Sequence, residues 1–591
     1  MKRPARTPLT KLLAAWPLAA LSILPLASAF ADEPSPGSYV NTPFIITNNQ
    51  TQYNVNTDDS QNEVWVTFAG TFTNTGVSQY IGSQTLEEWN ISYGNVFQSF
   101  NITDLSASVS SALPYFNSDP NQYTFSLNGF SGRVYVNYGS TALTAAPNPG
   151  NPGTSPYIVF EPTVQGQTLA GGVPTASNID LSYVDGVSSP ASFAFRNATT
   201  GGLLAAASGP FNTTLGTSQG YSSANNNILA NVATAVQTAA PNAIVRNDSN
   251  EIVHVMSSAA SPSSYHDWTS LMTTLEGPTG GSPKTLHVSS YTAGVTSNPY
   301  NLSSTYYGYS GAGTVSGQPT GWNEQQTYTT TTQFVTDMTT GLTTEQKAAL
   351  QAAFTASGFG DATGPGAVIT GTSGTSGPFT IFIPQAILNA STGIYGNNPG
   401  YIVQIGDTTY NYASAGIQND LGGRVVGDLV AGIVFGWSNS AVDIAAHATA
   451  TGTDFYGSVF SSNTLGDLST GEYFYLLSMA AAQGKLSDWI GGNADPNAEN
   501  YDIYLAAISA NTDAYASGFT DRLQGPSAPD IFWYTANPPA NPYLSGQNFE
   551  DIGYVELTLE DFSAVPEPST YLLLGLGGLA LLIHHRRARK A

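Results

Sequence analysis

Two carboxylates in strand-like stretches, Glu161 and Asp185, are the side chains of this sequence best suited to chemistry. Both lie between Ser131 and Pro190, a strand-rich region that holds few other carboxylates. A pair of carboxylates on neighbouring strands is the minimum equipment for cleaving a glycosidic bond, because one protonates the leaving oxygen while the other assists the attack. Acids on half-exposed strands are also common on ordinary protein surfaces, so the pattern alone leaves both interpretations open.

Residue alternation predicts which side chains share a face with Glu161. Successive side chains of a strand point to opposite faces, so this strand should bury one row and expose the other. The predicted core row is Ile158, Phe160, Pro162 and Val164, and the predicted groove row is Glu161, Thr163 and Gln165. Since Pro162 cannot donate a backbone hydrogen bond, its strand is predicted to lie at a sheet edge or beside a bulge.

The second strand-like run places Asp185 at the end of an otherwise apolar or aromatic row. That row is Ile179, Leu181, Tyr183 and Asp185. Asp180 and Ser182 take the opposite face, and the pattern predicts that Asp180 is an ordinary residue facing solvent.

The motifs around these acids resemble those of glycoside hydrolase family 64, the β-1,3-glucanases with a thaumatin-like barrel. The resemblance covers most of residues 42 to 562, with large insertions. It is carried by Ser131-Gly132-Arg133-Val134-Tyr135, Glu161-Pro162-Thr163-Val164-Gln165, Val184-Asp185 with the later Pro190, the opening strands 42–49 and 63–66, and the segments 513–516 and 519–522. Gln165 stands where the family has Asn, and the gap between the acids is longer than in the family.

The resemblance implies a secreted enzyme that hydrolyses internal bonds of β-1,3-glucan, or a related neutral polysaccharide, with inversion. Glu161 is then the general acid, Asp185 the general base, and Thr163 and Gln165 bind sugar hydroxyls. Inverting enzymes hold their carboxyl groups roughly 6.5–9.5 Å apart, and the acid needs a pKa raised by burial or by a nearby like charge. The alternative is a catalytically silent surface or matrix protein that binds polysaccharide with the same fold.

Both ends of the chain carry targeting patterns. Residues 1–31 combine four basic residues, an apolar run and an A-x-A site, which predicts a signal peptide. Residues 565–591 resemble the PEP-CTERM sorting signal of Gram-negative bacteria, with a short apolar segment at 571–583 and a basic tail at 584–591. This resemblance implies contact with export and sorting machinery at the inner membrane, transient tethering, and release to the cell surface or extracellular matrix.

Composition limits the partners. Eight of the 16 basic residues lie in the two terminal segments, which leaves eight against 40 acidic residues and a net charge of −32 on the body between them. Such a body repels nucleic acid and anionic polymers, whereas a neutral glucan is compatible with it. The chain has no cysteine, and its histidines lack metal-site spacing, so we expect neither a metal nor another cofactor. We also expect a monomer.

The element pattern predicts a β-rich α+β protein. Residues 42–204 are predicted to form a thaumatin-like β-barrel or sandwich domain, and residues 205–562 a mixed α/β domain with insertions, with a substrate cleft between the two. Helices are predicted from Ile228 to Val236, from a capping box at Thr343 to Gly358, from Val425 to Val434, and from Glu472 to Gln483, and strands at 252–256 and 379–383. Residues 291–331 are predicted to be a structural insertion.

Overall fold

The structure is a computed structural model that describes the body of the chain with gaps. The described residues are 42–50, 63–105, 121–164, 177–197, 202, 218–220, 227–265, 269–276, 285–290, 322, 327–374, 377–390, 400–407, 409–413, 420–437, 469–474, 477, 501–512, 514–516, 531–533 and 552–561. The predicted signal peptide, the sorting signal and Gln165 lie outside these residues, as do nearly all of the insertion at 291–331 and most of the predicted helix at 472–483.

Strands dominate the described residues. The first strands are β1 Thr42–Asn48, β2 Val64–Phe72, β3 Tyr80–Ile81, β4 Gln84–Thr85, β5 Gly94–Asn101, β6 Gln122–Leu127, β7 Phe130–Tyr138, β8 Tyr157–Phe160, β9 Thr163–Val164, β10 Ser177–Ile179, β11 Leu181–Ser182, β12 Gly186–Val187, β13 Ala191–Asn197 and β14 Ser218–Gly220. The later strands are β15 Ile244–Arg246, β16 Ile252–Met256, β17 Leu286–Ser289, β18 Tyr328–Val335, β19 Gly366–Ser373, β20 Gly377–Pro384, β21 Tyr401–Ile405, β22 Thr409–Ala413, β23 Ile531–Trp533 and β24 Ile552–Leu559. This content confirms the β-rich prediction.

Helices are few in the described part of the chain, and most lie after residue 227. They are α1 Ile228–Val236, α2 Thr269–Glu276, α3 Thr344–Ser357, α4 Gln385–Ala390, α5 Leu421–Val434 and α6 Ile503–Ser509, with 3-10 turns at Ile102–Leu105, Pro241–Ala243 and Pro262–Ser264. The predicted capping box is present, because the Thr343 side chain accepts from the Gln346 amide while Gln346 returns the contact, and Gly358 ends α3 in the left-handed conformation.

Two large sheets pack face to face as a sandwich. One sheet has the order β14-β13-β24-β1-β6-β3-β4, and the other has β11-β8-β7-β9-β10-β23, with β2 and β5 added beside β7. Phe68 of the second sheet meets Phe125 of the first edge-on at 5.2 Å, and Phe125 stacks on Phe44 at 4.8 Å. Neither sheet closes on itself within the described residues, so of the two predicted alternatives, barrel or sandwich, the structure has an open sandwich and no closed barrel.

The last described strand, β24, completes the first sheet from the far end of the chain. It lies between β1, to which it is parallel, and β13, to which it is antiparallel. Phe44 pairs with Val555 in this register, and both side chains are fully buried. The first sheet therefore contains strands from both the beginning and the end of the described chain. The predicted domain boundary near residue 204 stays a prediction.

The region after residue 285 holds a six-stranded antiparallel sheet in the order β17-β18-β19-β20-β21-β22. Helix α5 packs against β17, and all of its residues are buried. Asp420 caps this helix by accepting from the Gly423 amide at 2.6 Å, and Tyr401 donates to the same carboxylate at 2.6 Å. None of the helices in the described residues has the length and apolar character needed to cross a bilayer.

Candidate active site

Glu161 lies between β8 and β9, two strands that pair one after the other with β7. Strand β7 pairs with β8 up to Phe160 and resumes with β9 at Thr163, so Glu161 and Pro162 form the interruption. The Glu161 amide donates to the Asp180 carbonyl at 3.0 Å, and the Pro162 carbonyl accepts from the Gly132 amide at 3.2 Å. The prediction of a sheet edge or a bulge for Pro162 is wrong: β8 and β9 lie inside the sheet, and the register with β7 is the same on both sides of the interruption.

The predicted alternation around Glu161 is confirmed. Glu161 and Thr163 are partly exposed on one face. The opposite row is buried and consists of Ile158, Phe160, Pro162 and Val164. The Thr163 hydroxyl lies 3.2 Å from the Ser131 hydroxyl on the neighbouring strand. Thr163 thus stands beside the acid, whereas the place of Gln165 stays a prediction.

Asp185 lies in the short connection between β11 and β12, and backbone contacts on several sides hold that connection. The Asp185 carbonyl accepts from the Ser257 amide at 3.2 Å, directly before β12 pairs with β16. Two residues earlier, the Tyr183 amide donates to the Tyr515 carbonyl at 2.6 Å, and the Tyr183 carbonyl accepts from the buried Tyr504 hydroxyl at 2.7 Å. The position of Asp185 therefore depends on residues more than 300 positions along the chain.

Asp180 is not the solvent-facing residue that alternation predicts. It is only 6% exposed, and its carbonyl accepts from the Glu161 amide. Strand β11, which follows it, pairs with β8 on one side and meets Tyr515 through a parallel bridge at Ser182 on the other. Asp180 and both residues of β11 are buried, and the distant segment 514–516 pairs along the second edge of this strand.

Arg133 joins the two candidate acids. Its Nε lies 3.2 Å from Oε1 of Glu161, and its Nη1 lies 2.9 Å from Oδ2 of Asp185. The side chains are 37%, 27% and 22% exposed for Arg133, Glu161 and Asp185, so the cluster is open to solvent on one side. Since one planar guanidinium, about 2.3 Å from Nε to Nη1, connects the two contacts, the nearest carboxylate oxygens lie at most about 8.5 Å apart.

The electrostatic balance at Arg133 favours its charged form. Burial lowers the pKa of Arg133, but the attraction of Glu161 and Asp185 outweighs it and leaves this pKa above its ordinary value. By the same attraction, the guanidinium stabilises the negative charge of its two partners. The site in this state is an ion triad with one net negative charge.

Aromatic side chains border the triad. The Tyr135 hydroxyl lies 3.5 Å from Nη1 of Arg133, and the Tyr135 and Tyr157 rings meet at 6.1 Å. Burial raises the pKa of both phenols, and Asp185 adds to the shift of Tyr157, so both remain protonated donors at neutral pH. Tyr157 in turn contacts His254, whose Nε2 lies 2.9 Å from the Ser155 carbonyl and whose pKa burial lowers to about 4.

Two glycines allow the backbone of β7 to approach β2 beside Arg133. Gly132 pairs with Gly70, and a Cβ on Gly132 would lie 2.4 Å from the Ala69 carbonyl oxygen. Gly132 also has a φ of +156°, which side chains rarely adopt. The Ser-Gly-Arg sequence therefore has a local structural reason, since the glycine brings Arg133 into its place in the sheet.

Sequence reasoning missed Arg133 as a member of the site. Its signal was available, because Arg133 and Arg196 are the only basic residues between positions 42 and 204. A cation near two acids in a region with so few basic residues is a natural bridge between them, but strand register alone decides which acids it contacts. No group of three or more His, Cys, Asp or Glu side chains able to hold a metal ion occurs among the described residues.

Comparison with known proteins gives a clear match only at the C-terminus. The profile of the PEP-CTERM protein-sorting motif matches residues 564–587, which confirms the predicted signal and indicates an exported protein sorted through its C-terminal end. No curated protein matches the chain in sequence.

Solved structures of two β-1,3-glucanases are similar to the chain at low identity. One is a laminaripentaose-producing β-1,3-glucanase in complex with laminaritetraose, with 12% identity, a TM-score of 0.37, and coverage of 88% of this chain and 99% of that one. The other is a β-1,3-glucanase domain (GH64) from Clostridium beijerinckii, with 9% identity, a TM-score of 0.32, and coverage of 89% and 100%. TM-scores of this size do not establish a shared fold. The comparisons thus identify a PEP-CTERM protein-sorting motif at residues 564–587.

Proposed function

We propose that this chain is a secreted endo-β-1,3-glucanase that hydrolyses β-1,3-glucan with inversion, using Glu161 as general acid and Asp185 as general base. The observation that carries the proposal is the contact of both carboxylates with one partly exposed guanidinium. The sequence pattern alone could not tell these two acids from ordinary surface residues, but they lie in one cluster around Arg133. Their upper separation of about 8.5 Å is compatible with the spacing of roughly 6.5–9.5 Å that leaves room for an attacking water.

In the proposed reaction, Glu161 donates its proton to the glycosidic oxygen as the bond to the anomeric carbon breaks. Asp185 takes a proton from a water that attacks the same carbon from the opposite face, which inverts its configuration. Exchange with solvent then returns a proton to Glu161 and removes one from Asp185. Thr163, which lies beside Glu161, donates to or accepts from a sugar hydroxyl, and Gln165 does the same.

The general acid must hold a proton when substrate is bound, whereas its contact with Arg133 stabilises the carboxylate. We infer that the sugar displaces the guanidinium from Glu161 and excludes water, so that Glu161 takes up a proton. Asp185 keeps its contact with Nη1 of Arg133 and acts as the base. Arg133 thereby distinguishes the two carboxylates.

The second candidate function is that of a non-catalytic polysaccharide-binding protein of the cell surface or matrix, built on the same fold. One observation favours it: Arg133 occupies both carboxylates, and a permanent ion triad would leave no proton for the leaving group. In that case Tyr135, Thr163 and the triad would only contact sugar hydroxyls and ring faces.

Sugar release from a linear β-1,3-glucan separates the two functions. The chain is assayed beside Glu161→Gln and Asp185→Asn, with Asp248→Asn as the matched control, because Asp248 is an exposed carboxylate in a turn far along the chain. Hydrolysis requires release by the parent and the control, and a loss of at least about 100-fold in each site variant. Glucan retention by all four proteins without release would instead establish the binding protein.

The remaining parts of the proposal concern the place of action. We propose that the exported chain is tethered briefly by its C-terminal segment and then reaches the cell surface or matrix as a monomer. Its body charge of −32 keeps it from anionic polymers and leaves neutral glucan as its partner.

A further inference from the structure

A cavity of about 660 Å³ lies at the β17 end of the six-stranded sheet. Its lining includes Ser289, Thr329 and Thr372 from three neighbouring strands and Glu472 from a later segment, and it shares no residue with the Glu161 and Asp185 site. Cavities of roughly 300–1,000 Å³ are the size that small ligands occupy in proteins.

Strand register brings hydroxyl groups into a row along one side of this cavity. Ser289 pairs with Thr329, and Thr329 pairs with Thr372, so the three side chains stand next to one another on one face of the sheet. Directly opposite Cβ atoms are about 4.5–5.5 Å apart across such strands. Thr329 and Thr372 are exposed, and no hydrogen bond between their hydroxyls and other described residues occurs.

One wall of the cavity, the segment 469–472, carries a carboxylate that hydrogen bonds hold in place. Oε2 of Glu472 accepts from the Ser469 amide at 2.9 Å and from the Ser469 hydroxyl at 2.8 Å, whereas Oε1 has no partner among the described residues. Thr470 Oγ1 accepts from the Ser289 amide at 3.0 Å, which ties this wall to β17. Gly471 packs so closely that a Cβ would lie 2.7 Å from the Ser290 carbonyl oxygen. The cavity is therefore preformed by backbone contacts.

We propose that this cavity is a second saccharide-binding site that takes a neutral oligosaccharide of two or three sugar units. Hydroxyl groups donate and accept, so the row of Ser289, Thr329 and Thr372 matches a ligand that is itself made of hydroxyls. The free oxygen of Glu472 accepts a sugar hydroxyl in a charge-assisted hydrogen bond. No Lys or Arg is among the described lining residues, which disfavours phosphate or carboxylate ligands.

This site does not depend on the proposed hydrolysis. It holds sugar without cleaving it, because it offers a single carboxylate rather than a pair. Its effect on a glucanase would be to keep polymer near the Glu161 site, and its effect on a binding protein would be a second point of attachment, which increases the overall affinity for polymer.

The chain itself supplies a matched pair of variants. Thr329 and Thr372 form a cross-strand pair that lines the cavity, and Thr331 and Thr370 form the next exposed pair on the same strands outside it. Replacing either pair with valine removes two hydroxyls and keeps a strong strand former. The measurement is calorimetric binding of laminaritriose, cellotriose and maltotriose to the whole chain carrying Glu161→Gln, which removes the proposed acid.

We expect at least one trisaccharide to bind, with affinity at least about tenfold weaker in the T329V/T372V protein and unchanged within about twofold in the T331V/T370V protein. Sugar bound at the Glu161 site would appear in the calorimetry as a second class of binding sites whose affinity neither threonine double variant changes. Glu472→Gln, which can still bond Ser469 as a cap, should weaken binding by a similar factor. Equal effects of the two threonine pairs, or no binding of any of the three sugars, would overturn the proposal. Neither result bears on hydrolysis, which is measured with Glu161 intact.

Discussion

Replacing Arg133 with methionine should turn a stabilising triad into a repulsive pair of carboxylates. Methionine keeps much of the apolar stem of arginine, so the main loss is the charge and its hydrogen bonds. Glu161 and Asp185 would then face each other without the guanidinium that now contacts both of them, at 3.2 and 2.9 Å. We expect a less stable protein whose site no longer distinguishes acid from base.

The magnitude follows from the exposure and geometry of the triad. Arg133 is 37% exposed, so solvent screening limits each of its two contacts to about 0.5–1 kcal/mol. Two like charges about 8.5 Å apart repel by about 2 kcal/mol at an effective dielectric constant near 20, and physiological salt reduces this to about 1 kcal/mol. Because this repulsion is present with and without Arg133, Arg133→Met should lower the free energy of unfolding by the two lost contacts alone, about 1–2 kcal/mol.

A double-mutant cycle isolates this effect from general loss of packing. Asp185→Asn should change the stability of the parent little, because the lost contact with Arg133 and the relieved repulsion from Glu161 nearly cancel. It should stabilise the Arg133→Met protein, where only the repulsion is relieved. The coupling free energy from urea unfolding isolates the Arg133–Asp185 contact and should be about 0.5–1 kcal/mol at 0.15 M salt, falling by more than half at 1 M salt.

Arg196 provides the matched control, since it contacts the single carboxylate of Glu556 at 2.6 Å and is 30% exposed. Arg196→Met should cost about 1 kcal/mol, and Glu556→Gln should not stabilise the Arg196→Met protein, because no second carboxylate is left to repel it. If Arg133→Met and Asp185→Asn prove additive within about 0.3 kcal/mol, the contact of Arg133 with Asp185 has no energetic significance and the reasoning about Arg133 is refuted.

Three further predictions rest on single positions. Folding lowers the pKa of His254 from 6.5 to about 4, so between these values the unfolded chain binds a proton that the folded chain excludes. Stability should therefore fall by about 3 kcal/mol from pH 7 to pH 4 relative to His254→Gln, and equal pH dependence of unfolding in the two proteins would contradict this. A Cβ at Gly132 would lie 2.4 Å from a backbone oxygen of β2, whereas a Cβ at Gly76 would meet no atom within 4 Å. Gly132→Ala should therefore lower the free energy of unfolding by about 3 kcal/mol and reduce hydrolysis. Gly76→Ala should lower it by about 1 kcal/mol and leave hydrolysis unchanged. Tyr504 and Tyr473 are both fully buried, and each donates to a carbonyl at 2.7 Å. Replacing either with phenylalanine should lower the free energy of unfolding, measured in urea, by about 1–2 kcal/mol. Only Tyr504→Phe should lower kcat, because the carbonyl that Tyr504 contacts belongs to Tyr183, two residues before the proposed base Asp185. Equal kcat in the two tyrosine variants would show that the contact of Tyr504 is structural alone.

The sequence predicted well those features that depend on neighbouring residues. Alternation gave the buried and exposed rows around Glu161, because each strand residue alternates regardless of its partner. The capping box at Thr343 and the end of α3 at Gly358 were likewise local and were confirmed. The sorting motif was predicted from three elements in order along the chain, and the profile match confirms it.

Features that depend on distant pairing were not predictable in the same way. Asp180 is buried although alternation places it facing solvent, and the strand that follows it is bridged by Tyr515, a distant partner that nothing near Asp180 in the sequence signals. The sheet order β13-β24-β1 joins residues more than 350 positions apart, so an open sandwich could not be told from a barrel by strand pattern alone. Arg133 became part of the site through register, which brings β7 beside β8 and β9.

Hydrolysis of a linear β-1,3-glucan followed by proton NMR tests the pairing of Glu161 and Asp185 most directly. The anomeric signals of the first products report both cleavage and its stereochemistry before mutarotation mixes them. The proposed mechanism predicts that the chain releases α-anomers, and that Glu161→Gln and Asp185→Asn release none on the same timescale. Products of β configuration, release that survives both substitutions, or no release by the parent chain would each contradict it.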